Sequence, residues 1–568
     1  MPEILKKLSF LVLIFLFLPF FTQALTIGQK VKFFIDSSYD SLGREEVSAT
    51  LKRIGLNSYF FVDDDWFEKL DFSQKGKVEE AIYSLDNEFS NKIYSVLTSN
   101  YGSEWKPGID GEERIYILIH PMKKGAGGYF NNGDEYLRVE NPKSNEKEIV
   151  YLNANYITYP NAKSLLSHEF THLITFNQKD RLQKVSEETW LNETRAEYAP
   201  TLVGYDATFE GSNLERRTKI FLTYPSDSLC EWKNEEADYG VLNLFTQYLV
   251  EKYGAKILID SLHSSKTGIV SLNEALNKNG FSEDFSQIFT NWTIGIFVND
   301  CSLSEKYCFK SDNLKNLRIT PLINYLPLVG KSSLTFSNAT KNWSGNWQKI
   351  IGGKGNLVFE FDGSNEVKFK VPYILEDISG NKLVGFLPLD EKQNGKTEIS
   401  DFGTKYISFT IIPLIQSKFS DFSSDEPYYL YSWSTSISSK TAEDLEKERL
   451  LAQIDFLQKE IARIQAQINE ILAKRGQLIS CQRLENNFYF GMMGNSEVRC
   501  LQEFLKSQGP EIYPEDLITG NFLSLTQQAI IRFQEKYKNE ILMPLGLENG
   551  TGFVGQMTRA KINELLGR

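Results

Sequence analysis

The sequence is poor in histidine and cysteine, and it carries no excess of positive charge. Only 4 His and 5 Cys occur among 568 residues, and the formal net charge is -12 at pH 7. No two cysteines have the C-x-x-C spacing on which cysteine-based zinc fingers depend. A net negative charge gives no general electrostatic reason to bind nucleic acid or an anionic membrane surface. We therefore expect neither a cysteine zinc finger nor a nucleic-acid-binding protein.

Long hydrophobic runs are lacking after the first 24 residues. Lys6 and Lys7 precede an apolar run at residues 8–21, and Ala24 supplies a small residue at a cleavage point before Leu25. This arrangement predicts a signal peptide over residues 1–24 and a secreted protein, extracellular or associated with the cell wall. An uncleaved membrane anchor is the alternative, although the run is short for a bilayer span.

The cysteines suit an oxidising compartment. Cys301 and Cys308 are close enough in sequence to pair, and Cys481 and Cys500 flank the start of the last unit of the chain. Each pair is a candidate disulfide in a secreted protein. Cys230 is left over.

Length and composition indicate several folded domains. A chain of 568 residues is too long for one hydrophobic core, so three or more units are expected. Charged residues make up 24% and hydrophobic residues 41%, as in ordinary folded and soluble domains.

Two of the four histidines lie in one short motif, HEFTH, at residues 168–172. Residues 162–179 contain no Pro or Gly and have apolar spacing suited to a helix. On a helix His168 and His172 share a face, with Glu169 beside them, so both imidazoles can reach one metal ion. A buried helix with ordinary histidine hydrogen bonds is the alternative, but composition alone gives an H-E-x-x-H motif with a chance of only about 0.002.

A zinc site needs a third protein ligand, with the fourth position left for water. The stretch WLNETRAE at residues 190–197 places Glu193 and Glu197 four residues apart, on one face of an expected helix. Solvated surface charges are the alternative interpretation of both.

These two motifs together resemble a known clan of enzymes. HEFTH followed after about twenty residues by NETRAE is similar to the gluzincin metallopeptidases, the thermolysin-type clan, and WLNETRAE resembles their hyicolysin-like branch. The resemblance is close over residues 168–197 and looser over about residues 114–292. It implies an α+β peptidase domain that hydrolyses peptide bonds.

The resemblance also implies a role for each residue of the two motifs. His168, His172 and Glu193 would bind Zn2+, Glu169 would be the general base, and Glu197 would hold His168 through its other ring nitrogen. This last role agrees with chemistry, because a ligating imidazole usually donates its second N–H to a carboxylate or carbonyl.

The segment before the motif helix contains strand patterns. Residues 114–119 and 148–153 are β-branched and apolar, as in central strands, while residues 30–35 suggest a strand and residues 75–97 a helix. Gluzincins bind substrate along an exposed sheet edge before the metal helix. By resemblance, residues 127–130 would be this edge. A surface hairpin is the alternative.

A further catalytic hydroxyl is expected after the second motif. Residues 239–253 have helical periodicity, and gluzincins usually supply a Tyr or His from this later part to bind the oxyanion. Tyr239 is the candidate, with aromatic core packing as the alternative and His263 as the weaker choice. His120, at the end of the first predicted central strand, is expected to be structural.

Beyond residue 318 the pattern changes to alternation of apolar and polar residues between turns. Residues 357–361, 367–371 and 406–412 predict a β-sandwich over residues 319–435. No group of residues with catalytic or metal-binding chemistry is recognisable there, so the sequence supports only a spacer or an accessory binding module.

Residues 440–476 predict a short coiled coil and a possible homo-oligomer. Apolar residues repeat with 4-3 spacing at Leu450, Ile454, Leu457, Ile461, Ile464, Ile468 and Ile471. A rigid stalk that folds back on its own chain is the alternative.

The last unit, residues 481–568, carries a second resemblance. The segments VRCLQEFL, TGNF, TQQAIIRFQ and GFVGQMT occur in the order found in the peptidoglycan-binding domain built from three short helices. The cysteines of this unit are not part of that pattern. The resemblance implies peptidoglycan as a partner.

The sequence thus predicts a multidomain protein: a signal peptide (1–24), an α+β gluzincin-like peptidase (25–318), a β-sandwich (319–435), a coiled coil (440–476) and a small peptidoglycan-binding-like domain (481–568). We expect a secreted zinc endopeptidase that hydrolyses protein or peptide substrates with a metal-activated water and is tethered to the cell wall. The alternatives are a hydrolase of peptidoglycan cross-links and a non-catalytic wall adhesin or structural protein.

Overall fold

A computed structural model describes residues 25–328, 332–417, 425–438, 450, 453–461, 463–464 and 483–567. The expected signal peptide, Cys481 and most of the expected coiled coil lie outside these residues. Within the described ranges no helix combines the length and apolar character needed to cross a bilayer. The described chain is a multidomain α+β protein with large sheets and many helices.

The first unit is built on a six-stranded mixed sheet with the strand order β1-β2-β3-β4-β6-β5. Strands β3, β4 and β6 are parallel neighbours and fully buried, which explains their unbroken apolar sequences, and β5 is an antiparallel edge strand. The two predicted central strands are therefore confirmed. The strands are β1 Lys30–Phe34, β2 Glu46–Ile54, β3 Ser58–Asp63, β4 Ile115–His120, β5 Gly128–Phe130 and β6 Ile149–Asn153.

Helices cover one face of this sheet and continue beyond it. One core contains Ile117 and Val150 of the sheet together with Leu166 and Phe170 of the motif helix, while the opposite sheet face packs in a smaller core around Phe33. The helices are α1 Asp64–Glu68, α2 Phe72–Glu88, α3 Tyr94–Tyr101, α4 Ala162–Thr175, α5 Thr189–Val203, α6 Asn213–Thr223, α7 Glu236–Tyr253, α8 Lys256–Leu262, α9 Gly268–Lys278 and α10 Phe285–Val298.

A second unit contains ten strands linked by hydrogen bonds around their own core, which includes Phe359, Phe409 and Trp433. The predicted strands at residues 357–361 and 406–412 are confirmed as Gly355–Gly363 and Tyr406–Ile411, and the one at residues 367–371 overlaps the start of the strand Phe369–Asp377. The strands are β7 Leu322–Leu326, β8 Ser332–Thr340, β9 Gln348–Gly352, β10 Gly355–Gly363, β11 Phe369–Asp377, β12 Lys382–Leu387, β13 Asn394–Phe402, β14 Tyr406–Ile411, β15 Leu414–Ile415 and β16 Tyr429–Ser438.

This β-unit is docked against the helices of the first unit. Trp347 is buried in the core of the first unit, and its indole N–H donates to the carbonyl of Thr293 on α10 at 2.9 Å. Lys341 forms a buried ion pair with Glu231 at 2.6 Å. The unit is thus joined to the helical part by apolar packing and by a buried charge pair.

The last unit has its own small core around Leu501, Phe504 and Phe533. Its helices are α11 Ser496–Ser507, α12 Ser524–Lys536, α13 Lys538–Ile541 and α14 Gln556–Leu565. The unit therefore has three longer helices and one short additional helix.

Two glutamines of the last unit are structural. The side-chain oxygen of Gln502 accepts from the amides of Thr519 and Gly520, both at 2.8 Å, and its amide group donates to Thr526. Gln534 repeats the arrangement with residues 551, 552 and 558. The L-Q and F-Q markers of the resemblance are therefore buried hydrogen-bonding residues and not surface contacts.

The cysteines and the heptad segment are only partly described. Cys301 and Cys308 form the predicted disulfide, Cys500 is disulfide-bonded, and Cys230 lies buried in the main core. Residues 453–461 and 463–464 are helical, and the heptad residues among them are exposed. The oligomeric state stays a prediction.

Candidate metal centre

The motif helix α4 brings both histidines of HEFTH to one point. Leu166, Phe170 and Leu173 lie on its buried side and fix the helix against the sheet. One helical turn separates His168 and His172, and their Nε2 atoms lie 3.2 Å apart. The predicted helical spacing of the two imidazoles is therefore present in the structure.

Glu193 on α5 completes a group of three potential ligands. Its Oε2 lies 3.2 Å from Nε2 of His168, and its Oε1 lies 3.6 Å from Nε2 of His172. Ligand atoms of the three residues all fall within 4.8 Å of one another, and no other group of three His, Cys, Asp or Glu residues in the described chain does so. Each residue keeps some contact with solvent.

Hydrogen bonds around the imidazoles indicate which ring nitrogens carry protons. Nδ1 of His172 lies 3.1 Å from the side-chain oxygen of Asn192, and Nδ1 of His168 lies 3.4 Å from Oε1 of Glu197. Because both partners are acceptors, the protons belong on Nδ1 and the Nε2 lone pairs face Glu193. The three ligand atoms could hold a metal ion, and two His with one Glu is a donor set that zinc uses.

Glu197 is buried and surrounded by donors. Arg217 donates to both of its oxygens, and the amide groups of Asn213 and Asn243 lie 3.2 and 3.4 Å from Oε2. Burial alone would raise the pKa of this carboxyl, but Arg217 and His168 hold it well below its usual range. Glu197 is therefore an ionised acceptor for His168 and does not face the Nε2 atoms.

Glu169 is buried between the two histidines and the edge strand β5. Burial raises its pKa, while His168 and His172 oppose this effect. A Cβ atom at Gly128 would lie 2.8 Å from Oε1 of Glu169, so only glycine allows this close approach of strand and carboxylate. The strand thus runs directly beside the carboxylate that the sequence assigned as general base.

The outer side of β5 is an open sheet edge. The amide of Asn153 on β6 donates to the carbonyl of Gly127 at 3.0 Å, so Gly127 faces the sheet. Alternation along an antiparallel strand then directs the backbone N–H and C=O groups of Gly128 and Phe130 away from β6. The predicted edge at residues 127–130 is thus an edge strand over Gly128–Phe130.

Tyr239, at the start of α7, lies beside the two motif helices. Its ring centroid is 6.4 Å from that of His168, and the guanidinium of Arg217 lies 4.4 Å from its ring centroid. The hydroxyl donates to the side chain of Asn234 at 3.1 Å. Burial and the charge of Glu193 raise the pKa of Tyr239, so the hydroxyl keeps its proton and can donate a hydrogen bond.

The other two histidines lie outside this group. His120 is buried at the end of β4, where its Nδ1 lies 3.4 Å from Asp40 and its ring packs edge-on against Tyr129. His263 follows α8 and has no contact with the His168–His172–Glu193 group in the described part of the chain. The structural assignment of His120 agrees with this position.

Residues not identified from the sequence also surround the site. Tyr39 stacks on Tyr129 of the edge strand with 4.7 Å between ring centroids. Burial raises its pKa, the side chain of Asn234 opposes this effect, and the charges of Glu169 and Glu193 raise the pKa further. No local sequence pattern marks Tyr39 or Asn234, because packing between distant segments brings them to the site.

No family model matches the chain, and no curated protein matches it. Among solved structures, the pre-peptidase C-terminal domain of a Bacillus anthracis collagenase aligns at 9% identity over 20% of this chain and 96% of its own, with a TM-score of 0.15. A periplasmic g-type lysozyme inhibitor of Aeromonas hydrophila aligns at 12% identity over 21% and 100%, with a TM-score of 0.14. Such low scores carry no argument about fold or activity.

Proposed function

We propose that the protein is a secreted zinc-dependent endopeptidase of the gluzincin type. The observation that carries the proposal is the convergence of the ligand atoms of His168, His172 and Glu193 within 4.8 Å, with Glu169 beside them. The order of the elements also supports the proposal. The motif helix packs against a mixed sheet with an antiparallel edge strand, and later helices supply Glu193 and Tyr239.

The proposed reaction is hydrolysis of a peptide bond. Zinc held by the two histidines and Glu193 would supply a Lewis acid that polarises the substrate carbonyl and lowers the pKa of water. Glu169 takes a proton from the attacking water and passes it to the leaving amine. Tyr239 donates a hydrogen bond to the oxygen on which negative charge develops, which stabilises the transition state.

The edge strand gives an extended substrate a place to bind. Outward backbone groups of Gly128 and Phe130 can pair with a peptide as an added strand. The same strand contacts Glu169, so a paired peptide would pass close to the general base. Pairing through backbone groups does not depend on substrate side chains, which is suited to an endopeptidase acting on many sequences.

The C-terminal unit would attach the enzyme to the cell wall. The order of the sequence segments in the C-terminal unit supports wall attachment. Attachment to the wall also requires that the signal peptide exports the protein. This unit also favours one alternative function, hydrolysis of the peptide cross-links of peptidoglycan itself. A protein that binds the wall without hydrolysing any substrate is the alternative that would contradict both enzymatic functions.

A substrate comparison tests the proposal. The zinc-loaded chain is incubated with casein and, separately, with purified cell wall, beside the Glu169→Gln variant as a control. We expect new peptide termini from casein with the wild type alone. Release of cross-link peptides from wall without casein cleavage would favour the cross-link hydrolase, and no cleavage of either substrate would contradict a hydrolase.

A further inference from the structure

Three tyrosine rings form one stack that crosses the edge of the first sheet. Tyr151 of β6 and Tyr129 of β5 are register partners, and their rings are nearly parallel with centroids 4.2 Å apart. Tyr39, from the loop after β1, adds a third ring, with its centroid 4.7 Å from that of Tyr129 and an interplanar angle of 21°. Since Tyr151 already covers one face of the Tyr129 ring, Tyr39 covers the other face, on the outer side of the edge strand.

The spacing of this stack matches the spacing of a further strand. Neighbouring strands of a sheet lie about 4.8 Å apart, and side chains directly opposite each other on paired strands share one face of the sheet. Tyr129 points into the core around Phe33, on the face opposite Glu169. A peptide paired with β5 would therefore place one side chain beside Tyr129 on that face, where the ring of Tyr39 already lies.

The loop that carries Tyr39 is fixed by its backbone. The carbonyl of Tyr39 accepts from the amide of Lys123 at 2.8 Å, and the amide of Asp36 donates to the hydroxyl of Tyr129 at 3.1 Å. At the other end of the side chain, the Tyr39 hydroxyl lies near the side chain of Asn234. A large substrate side chain could therefore enter only by displacing the ring and losing its stacking on Tyr129.

Gly128 sets the distance between this place and the proposed chemistry. A Cβ atom at Gly128 would lie 2.8 Å from Oε1 of Glu169, so the substrate residue opposite Gly128 would pass closest to the general base. The next substrate residue lies opposite Tyr129, and its side chain points to the other face of the sheet. The residue beside Tyr39 thus lies within about two positions of the bond that is cut.

We propose that Tyr39 restricts the substrate to peptides with glycine or alanine opposite Tyr129. A small residue leaves the Tyr39 ring in its stack, whereas a branched or aromatic side chain needs the space that the ring fills. The two flanking substrate residues point to the other face and are not restricted by Tyr39. This inference rests on the proposed peptidase function and adds a substrate class to it, namely chains with small residues near the cleaved bond.

Mapping of cleavage sites tests the inference. Zinc-loaded wild type, Tyr39→Ala and Tyr39→Phe are each incubated with a peptide library of mixed sequence, and the new termini are identified by mass spectrometry. We expect wild type to require Gly or Ala at one fixed position within about two residues of the cleaved bond. Tyr39→Phe should keep this preference because the ring remains, and Tyr39→Ala should accept Leu or Phe at the same position. Tyr325→Ala removes an exposed ring of the β-unit and is the matched control, which should keep the wild-type preference.

Two synthetic peptides measure the preference in wild type without relying on the fold of a variant. They share the sequence of one mapped site and differ only in Gly or Leu at the restricted position. Wild type should cleave the Gly peptide with a kcat/KM roughly tenfold higher, which is the order expected from the loss of one aromatic stacking contact. Tyr39→Ala should bring this ratio towards one.

The outcomes separate this inference from the peptidase proposal. Equal cleavage of the Gly and Leu peptides by wild type would overturn the inference and leave the peptidase proposal intact. An unchanged preference in a Tyr39→Ala chain that retains zinc and the wild-type unfolding temperature would overturn it as well. No cleavage of any peptide by wild type would contradict the peptidase proposal, and the inference would fall with it.

Discussion

Arg217 binds both carboxylate oxygens of Glu197, with Nε 2.8 Å from Oε2 and Nη2 2.5 Å from Oε1. Both side chains are buried. Because the guanidinium engages both oxygens, Glu197 is held in place as the acceptor for Nδ1 of His168. Glu193, one helical turn earlier on α5, is left to face the two Nε2 atoms. The geometry therefore gives the two carboxylates of α5 different roles.

Glu169→Gln should abolish hydrolysis while zinc content stays near one per chain. The change removes the general base and leaves His168, His172 and Glu193 intact. Product formation from a peptide substrate and zinc in the dialysed protein are measured together. Full activity in a variant that retains zinc would contradict the assignment of Glu169, and loss of zinc with loss of activity would show that this carboxylate is needed for the metal group itself.

Tyr239→Phe should lower kcat by roughly 10- to 1000-fold with little change in KM, if its hydroxyl meets the oxyanion. Tyr39→Phe is a matched comparison, because it removes a second hydroxyl near Asn234 and keeps the ring that stacks on Tyr129. Steady-state kinetics of both variants are compared. Unchanged kinetics in Tyr239→Phe would leave this residue a packing role only.

The parts of the site that the sequence predicted are those encoded by local periodicity. His168 and His172 share a helix face because they are four residues apart, and the same spacing places Glu193 and Glu197 on α5. Arg217 could not be predicted, because it comes from another helix and no spacing rule connects it to Glu197. Spacing alone would allow the two carboxylates to exchange roles. The resemblance assigned Glu193 as the ligand, and in the folded chain Glu193 is the carboxylate that faces the histidine Nε2 atoms.

The fold shows the same division between local and distant signals. Central strands β4 and β6 were predicted from apolar β-branched runs, whereas Tyr39 reaches the site from the loop after β1 and has no marker in the sequence. The Gln502 and Gln534 markers were recognisable as a pattern, but only their hydrogen bonds show that they support the fold. A pattern identifies residues that matter without telling whether they bind a ligand or a neighbouring loop.

Asp40→Asn should destabilise the first unit at neutral pH and do so less at low pH. Burial alone would raise the pKa of Asp40, but hydrogen bonds from Arg44 and from the amide of Leu42 lower it to about 2. Since this folded pKa lies below the unfolded value, the stabilisation is present above about pH 4 and is lost as the pH falls towards 2. The expected loss at pH 7 is roughly 2 kcal/mol in the free energy of unfolding.

Urea unfolding of wild type and Asp40→Asn, from pH 7 down to about pH 2.5, measures the difference in their free energies of unfolding. Asp36→Asn, at an exposed position of the same loop, is the control for removing one negative charge. A difference between Asp40→Asn and wild type that stays constant over this range would contradict a contribution from the ionised carboxylate. A difference that shrinks with falling pH is the expected result.

The full Glu169→Gln chain should sediment with purified peptidoglycan, and a chain ending at residue 438 should not. The C-terminal unit has its own core, and its buried glutamines are fully engaged, so contact with the wall must come from exposed residues such as Tyr489 and Phe553. Binding is measured at several salt concentrations. Equal sedimentation of both chains would remove the wall-targeting role and leave the peptidase proposal untouched.

The two carboxylates of α5 should differ in their effect on zinc. Glu193→Ala leaves only two histidines and should lose the metal during ordinary dialysis. Glu197→Ala removes the acceptor for Nδ1 of His168, and loss of such a partner typically costs 10- to 100-fold in metal affinity or activity. Both variants are measured in one buffer at one pH, because protonation of the histidines itself weakens zinc binding.

Arg217→Met serves as the control for Glu197. This change keeps the carboxylate but removes the two hydrogen bonds that hold it, so it should weaken zinc binding in the same direction as Glu197→Ala and by no more. If Glu197→Ala lost zinc while Glu193→Ala kept it, the ligand would be the later carboxylate. The assignment of the third zinc ligand would then move by one helical turn, from Glu193 to Glu197. The ion pair between Arg217 and Glu197 would then no longer be evidence for the role of Glu197 as the partner of His168.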